Sequence, residues 1–279
     1  MGRRFPQPSH SPIGCVVSGD KGARKGWHPR HLRNPQLISS SFLDSIFGFR
    51  KFRAPTTFPA VRRAILLFVK YPEPGRVKTR LAATVGADAA AQIYRRLVAA
   101  VLAGLPREAD LVVAFDPPEK RAEIVAWLGA ALAGRRAVFL PQAAGDLGVR
   151  LERAFAETFA LGFENVAVIG SDCIEMTPAT FTATWQALAG HDAVLGPSTD
   201  GGYYLLALRQ PCAALFRGIA WSTEAVRAET LARAQSAGLR VQELAALPDI
   251  DTEADWRRAV EKLGVESCAS PTESGRHLP

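Results

Sequence analysis

The sequence predicts an α/β fold: a single open, mostly parallel twisted sheet with helices on both faces. Three observations predict it. From Arg63 onward, short apolar runs alternate with longer stretches of helical period, which is the βαβ pattern. The short runs are continuous in Val, Ile, Leu and Phe, as strands covered on both faces are. The punctuation agrees: Thr177 then Pro178 reads as an N-cap followed by proline at the first helical position, and Gly238 closes the helix before it.

In order, the first strand is expected at residues 64–69, followed by a loop rich in proline and glycine and a helix over 87–103. A strand at 111–115, a helix at 119–133, a strand at 137–140 and a helix at 149–161 continue the alternation. The run at 166–169 is expected as a central strand. A helix at 178–189 leads to a strand at 193–195, which a glycine-rich turn joins to a strand at 203–208. A helix over 223–237, a strand at 239–243 and a helix over 253–263 complete the pattern, and no internal repeat is visible. With 279 residues, 48% of them hydrophobic, the chain can bury the core of one large domain plus tails. The expected organisation is a basic, disordered extension over 1–60, the α/β domain over 61–263 and a flexible tail over 264–279.

The net charge of +7 suggests nucleic acid until it is divided along the chain. Residues 1–60 carry ten Lys and Arg against two acids, so the remainder is at −1 and direct DNA or RNA binding is not expected. The extension reads either as dispensable, with translation starting near Val61, or as a targeting or partner arm; no secretory h-region follows its first charges. Cys15, Cys173, Cys212 and Cys268 lie far apart with no C-x-x-C pair, which argues against a zinc knuckle or a disulfide framework and for reduced thiols in the cytoplasm. No run reaches the roughly 18 to 20 apolar residues of a membrane-spanning helix.

Four motifs fall beyond the carboxyl ends of the expected strands, where open α/β sheets bind ligands. The first runs from Lys70 to Leu81 as an irregular loop fixed by two prolines and a glycine: Lys70, Gly75, Arg76, Lys78, Thr79 and Arg80 bring four cations onto it, enough to hold a diphosphate, without matching a Walker A pattern; a solvated basic turn is the plainer reading. The second, Gly170-Ser171-Asp172-Cys173, puts a carboxylate at a strand tip, where Asp172 could ligate Mg²⁺ or Mn²⁺ or merely cap the next turn. Cys173 reads as a small buried hydrophobe. In the third, Gly196 to Tyr204, Asp200 is placed to bind hydroxyls or act as a base, Gly201 and Gly202 would let a sugar approach the backbone, and Tyr203 follows; Asp-Gly-Gly is equally an ordinary hairpin turn. In the fourth, alternation puts Asp249 and Asp251 on one side of an extended segment, so that either could complete a metal site with Asp172; capping by Asp251 or Thr252 is the plainer reading. Asp146, in Gly145-Asp146-Leu147-Gly148, and Trp221 are weaker substrate-binding candidates.

Together these residues resemble the bacterial DUF2064 proteins, described as glycosyltransferases of the GT-A, nucleotide-diphospho-sugar transferase fold. The resemblance covers roughly residues 64–256 and rests on Phe68-Val69-Lys70 with Pro74 to Leu81, on Gly145 to Gly148 with Arg150-Leu151, on Gly170 to Cys173, on Gly196-Pro197 with Asp200 to Tyr204, on Trp221-Ser222-Thr223 and on Asp249 to Thr252. It implies that the 70–80 loop holds the nucleotide and that Asp172 is the metal-binding aspartate. One departure is Ile174, where the family has proline, which could loosen the turn that aims Asp172. The leading expectation is metal-dependent sugar transfer from a nucleotide-diphospho-sugar to a small-molecule acceptor, with Mg²⁺ or Mn²⁺ as cofactor. The alternative is nucleotidyl transfer, with an NTP as donor, a phosphorylated acceptor and pyrophosphate as leaving group; a third reading is a nucleotide-binding scaffold without turnover.

Overall fold

The computed structural model describes residues 61–263; the expected extension and tail lie outside the described residues. Seven strands form one sheet in the order β3-β2-β1-β4-β6-β5-β7. They are β1 (Arg63–Lys70), β2 (Asp110–Asp116), β3 (Ala137–Pro141), β4 (Asn165–Ile169), β5 (Ala193–Pro197), β6 (Tyr203–Leu208) and β7 (Val241–Glu243). All strands lie parallel except β6, which pairs antiparallel with both β4 and β5. The reason is local: only the five residues 198–202 join β5 to β6, and a parallel pairing needs a crossover of a dozen or more.

The helices are α1 (Thr79–Val85), α2 (Ala87–Gly104), α3 (Arg121–Leu128), α4 (Leu147–Ala160), α5 (Pro178–Leu188), α6 (Val226–Ser236) and α7 (Glu253–Leu263). Residues of α2, α3 and α5 pack with Ile65, Leu67 and Val69 on one face of the sheet. Those of α4 and α6 pack with Leu66, Val168 and Leu206 on the other. The chain therefore leaves β1 over one face and enters β4 over the other, so the β1/β4 boundary is a topological switch point with a crevice at its carboxyl end.

Thr177 and Thr180 form a capping box with Pro178 in the first turn of α5, and Gly238 takes φ +70° after α6, as the sequence requires. One expectation needs correction. Thr79 and Arg80, read as loop, open α1, whose seven residues are too few to show a helical period and bury only Leu81. Lys78 precedes it in the left-handed region, at φ 48° and ψ 48°. The expected helix at 119–133 also shortens: α3 stops at Leu128, before Gly129.

A third apolar cluster locks α7 against α1 and α2: Leu81, Ala90, Ile93, Leu97, Ile250, Trp256 and Ala259. Burial of Ile250 carries its neighbours Asp249 and Asp251 back to the carboxyl end of the sheet, which links the chain's last described motif to its first.

Candidate active site

At the switch point, the ends of β1 and β4 are held together by Tyr94 of α2. Its hydroxyl accepts a hydrogen bond from the Lys70 backbone N–H (3.0 Å) and lies 3.1 Å from Ser171 Oγ. Burial, then the charge of Asp172, keeps this phenol un-ionised well above the ordinary tyrosine value. Gln142, also buried, donates from Nε2 to the carbonyls of Val69 and Ala114 and so fixes the ends of β1 and β2. Arg150 lies against it, 3.5 Å from Asp116.

The centre of the site is Lys78. Its ammonium is 2.8 Å from Asp172 Oδ1 and 2.9 Å from Asp251 Oδ1, and it donates to the Ile250 carbonyl. The Lys78 side chain is 5% exposed, against 40% and 38% for the two aspartates, so the carboxylates face solvent with the cation buried behind them. Burial opposes the lysine's charge, but Asp172 and Asp251 outweigh it and hold its pKa above the usual value. The buried Asp172 Oδ1 is thus held by the Lys78 ammonium. The Ile250 N–H donates to the Asp172 carbonyl (3.1 Å), which clamps the two acidic loops together.

Asp249 and Asp200 stand beside this pair. Burial, followed by the charges of Asp172 and Asp200, pushes the Asp249 carboxyl up to about 7, against the lowering effect of a hydrogen bond with Ser198. The buried Ser198 hydroxyl gives its one proton to Asp200 Oδ1 (2.5 Å), which accepts the Gly202 N–H as well (2.9 Å). Ser198 thus couples the hairpin turn to the Asp249 loop, reinforced by backbone bonds between 197–199 and Leu247. Two aspartates, Asp172 and Asp251, share one buried ammonium, Asp249 lies close enough to Asp172, Asp200 and Asp251 to feel their charge, and Arg80 is 3.6 Å from Asp251.

Two residues of the expected metal trio, Asp172 and Asp251, share the Lys78 ammonium. Among the described residues, no three His, Cys, Asp or Glu side chains converge closely enough to hold a metal ion. The reason is Lys78, whose ammonium stands between Asp172 and Asp251. The expected cationic loop is also divided. Lys70, Arg76 and Arg80 are exposed, Arg76 near Glu73 at 3.8 Å, whereas Lys78 is turned inward.

The glycines of the hairpin serve the chain's own packing. A Cβ at Gly201, which has φ +92°, would meet the Glu224 backbone at 2.4 Å, and one at Gly202 would meet Ser198 Oγ at 3.1 Å. Asp146 caps α4 by accepting the Val149 N–H (2.9 Å). Trp221 packs against Gly148, where a Cβ would come within 2.7 Å of Nε1, and lies on the α4 face with Tyr203 rather than in the aspartate cluster. Thr252 and Asp255 cap α7 reciprocally. Cys173 is buried, and burial pushes its thiol up to about 12, so it is packing and not a nucleophile. Tyr94 and Ser198 escaped sequence reasoning: a tyrosine in an apolar helix stripe and a serine after a strand carry no signal of their own. A surface groove of about 560 Å³ runs along α4 past Asp146, Val149, Phe216 and Arg217, and none of Asp172, Asp200, Asp249 and Asp251 lines it.

The description "Uncharacterized protein conserved in bacteria (DUF2064)" is that of the family model matching residues 99–223. The chain is also similar to a crystal structure from Desulfovibrio desulfuricans G20, named provisionally as a nucleotide-diphospho-sugar transferase. The two are 36% identical over 72% of this chain and 87% of that one, with a TM-score of 0.66. The chain belongs to the DUF2064 family. A second similar structure, 4-diphosphocytidyl-2C-methyl-D-erythritol synthase from Anaerococcus prevotii DSM 20548, is 10% identical over 73% of this DUF2064 chain and 98% of its own, with a TM-score of 0.51; it shares the fold. No curated protein matches the chain. Among the described residues, no helix is long and apolar enough to cross a membrane.

Proposed function

We propose that this DUF2064 protein is a divalent-cation-dependent glycosyltransferase that uses a nucleotide-diphospho-sugar donor and a small-molecule acceptor. The observation that carries the reading is the acidic cluster at the carboxyl end of the sheet, in which Lys78 pairs with Asp172 and Asp251 and Asp249 feels the charges of Asp172, Asp200 and Asp251. The provisional name of the 36% identical structure points the same way. A cytoplasmic setting belongs to the proposal, supported by the free thiols of Cys173 and Cys212.

The residues fit Mg²⁺ or Mn²⁺. Such ions use one or two carboxylates and complete their shell with water and substrate phosphate oxygens, so a closed protein trio is not needed. Asp172 and Asp249 are the pair that would hold the ion: hard oxygen donors, one with a side chain 40% exposed, the other with its ionisation suppressed by burial and neighbouring charge. When bound, the cation neutralises charge on the departing nucleoside diphosphate.

The chain's own residues do the rest. Lys78 fixes Asp172 and Asp251 relative to each other. Lys70, Arg76 and Arg80, exposed on the segment that carries Lys78, bind phosphate oxygens by charge-assisted hydrogen bonds. Asp200 uses Oδ1 for both of its internal bonds, and its Oδ2 orients the acceptor hydroxyl and takes its proton. The acceptor oxygen bonds to the anomeric carbon as the bond from that carbon to the diphosphate oxygen breaks.

The test is product identity. With Mn²⁺, a nucleotide-sugar and an acceptor pool, free nucleoside diphosphate is expected. Release of pyrophosphate from an NTP and a sugar phosphate would replace the proposal with nucleotidyl transfer, and neither product would leave a nucleotide-binding scaffold.

A further inference from the structure

Most described glycines serve the fold itself, through a left-handed backbone, as at Gly75, or through close approach, as at Gly196, where a Cβ would lie 2.4 Å from the Tyr204 ring. Gly170 does neither. Its backbone is not left-handed, and a Cβ built there would meet no atom within 4 Å. The residue is exposed, directly follows β4 and lies two positions before Asp172. The chain's own packing gives no reason to exclude a side chain at this point.

The neighbours of Gly170 are aromatic. Leu66 pairs with Val168 and Leu67 with Ile169, so Phe68 comes next to Gly170, and Phe68 packs on the α4 face as Leu66 and Val168 do. On the other side, β6 carries a bulge. Gly196 pairs with Leu205 and Pro197 with Tyr203, which leaves Tyr204 as the extra residue. Tyr204 packs on the α2 face, and Tyr203 is turned onto the α4 face with Phe68. Bulges beside binding sites re-aim side chains in this way. The Tyr203 hydroxyl is buried with no hydrogen-bond partner, a second feature that the ligand-free fold does not explain.

We propose that Gly170, Phe68 and Tyr203 form the subsite for the sugar ring of the nucleotide-diphospho-sugar donor. The ring's apolar face lies over the Gly170 backbone and against the aromatic side chains, and a sugar hydroxyl pairs with the Tyr203 phenol. This rests on the glycosyl-transfer reading above. Gly170 and Asp172, two residues apart, can lie no more than about 7 Å from each other, so a ring over Gly170 stays within reach of a diphosphate held at Asp172. Phe68 and Tyr203 are uncharged and suit a ring rather than a phosphate.

Two substitutions test the subsite, Gly170→Ala and Tyr203→Phe. Both should leave the Tm of the ligand-free protein unchanged or raised, because alanine restricts the unfolded chain and phenylalanine removes an unpaired buried hydroxyl. Calorimetry with Mn²⁺ then compares UDP-glucose, GDP-mannose and dTDP-glucose with UDP, GDP and dTDP. Each variant should weaken the preferred nucleotide-sugar by about tenfold or more while holding the matching nucleoside diphosphate within about twofold. Nucleotide-sugar affinity equal to that of the wild type would overturn the subsite and leave glycosyl transfer standing. Equal losses for sugar and diphosphate, or a lowered Tm, would show a structural role and also overturn it. A wild-type protein that binds none of the nucleotide-sugars would overturn both.

Discussion

Asp249→Asn should make the ligand-free protein more stable at alkaline pH, and the size of the effect follows from the site. The Asp249 carboxyl titrates near 7 in the folded protein, raised by burial and then by Asp172 and Asp200, against 3.8 for an ordinary aspartate. A folded pKa above the unfolded one means that the native state keeps a proton the unfolded chain releases. The stability is therefore complete below 3.8, falls as the pH rises towards 7 and is lost above it. About three units at 1.36 kcal/mol each give about 4 kcal/mol, an upper figure because solvent reaches part of the side chain. Asparagine cannot ionise, so wild type should lose about 3 kcal/mol relative to the variant between pH 4.5 and pH 8. Urea unfolding in EDTA at both pH values measures this, and at pH 8 the variant's Tm should be higher by roughly 5–10 °C. The same variant should lose metal-dependent turnover. Parallel pH profiles, or a variant less stable than wild type at pH 8, would show that Asp249 is ionised and compensated, and would refute the reasoning.

Two further substitutions probe the frame. Lys78→Met removes the cation shared by Asp172 and Asp251 and the donor to the Ile250 carbonyl, and should cost about 2–4 kcal/mol in urea unfolding, below the fully buried limit because the carboxylates are 40% and 38% exposed; a cost under about 0.5 kcal/mol would show that the ion pair holds nothing together. Tyr94→Phe strips the partner from the Lys70 N–H and from Ser171 Oγ and should cost about 1–3 kcal/mol, with lower turnover as Asp172 loses its anchor; unchanged stability and rate would remove Tyr94 from the site.

The strands were legible because burial on both faces leaves continuous apolar runs: the expected strand at 203–208 coincides with β6, and β1 and β2 each extend one residue further at either end. Helix α1 was not legible, because seven residues opened by a lysine in the left-handed region show no period. The acidic motifs could be picked out one by one, but their meeting depends on Ile250 docking into the α1–α2–α7 cluster, a contact 172 residues in sequence from Lys78. A cation motif gives no sign of which member turns inward, and only the fold separates Lys78 from Lys70, Arg76 and Arg80. A packing reason for Gly201 was hidden in the same way: it is required by Glu224, a neighbour that the sequence alone does not reveal.

The central claim is that the aspartate cluster binds a divalent cation together with a nucleotide-diphospho-sugar. Calorimetric titration of nucleotide-sugars into wild type and Asp172→Asn, each with Mn²⁺ and with EDTA, tests it most directly. The account predicts binding by wild type that EDTA weakens at least tenfold and that Asp172→Asn abolishes without loss of fold. Binding of equal strength in EDTA, or in Asp172→Asn, would contradict it.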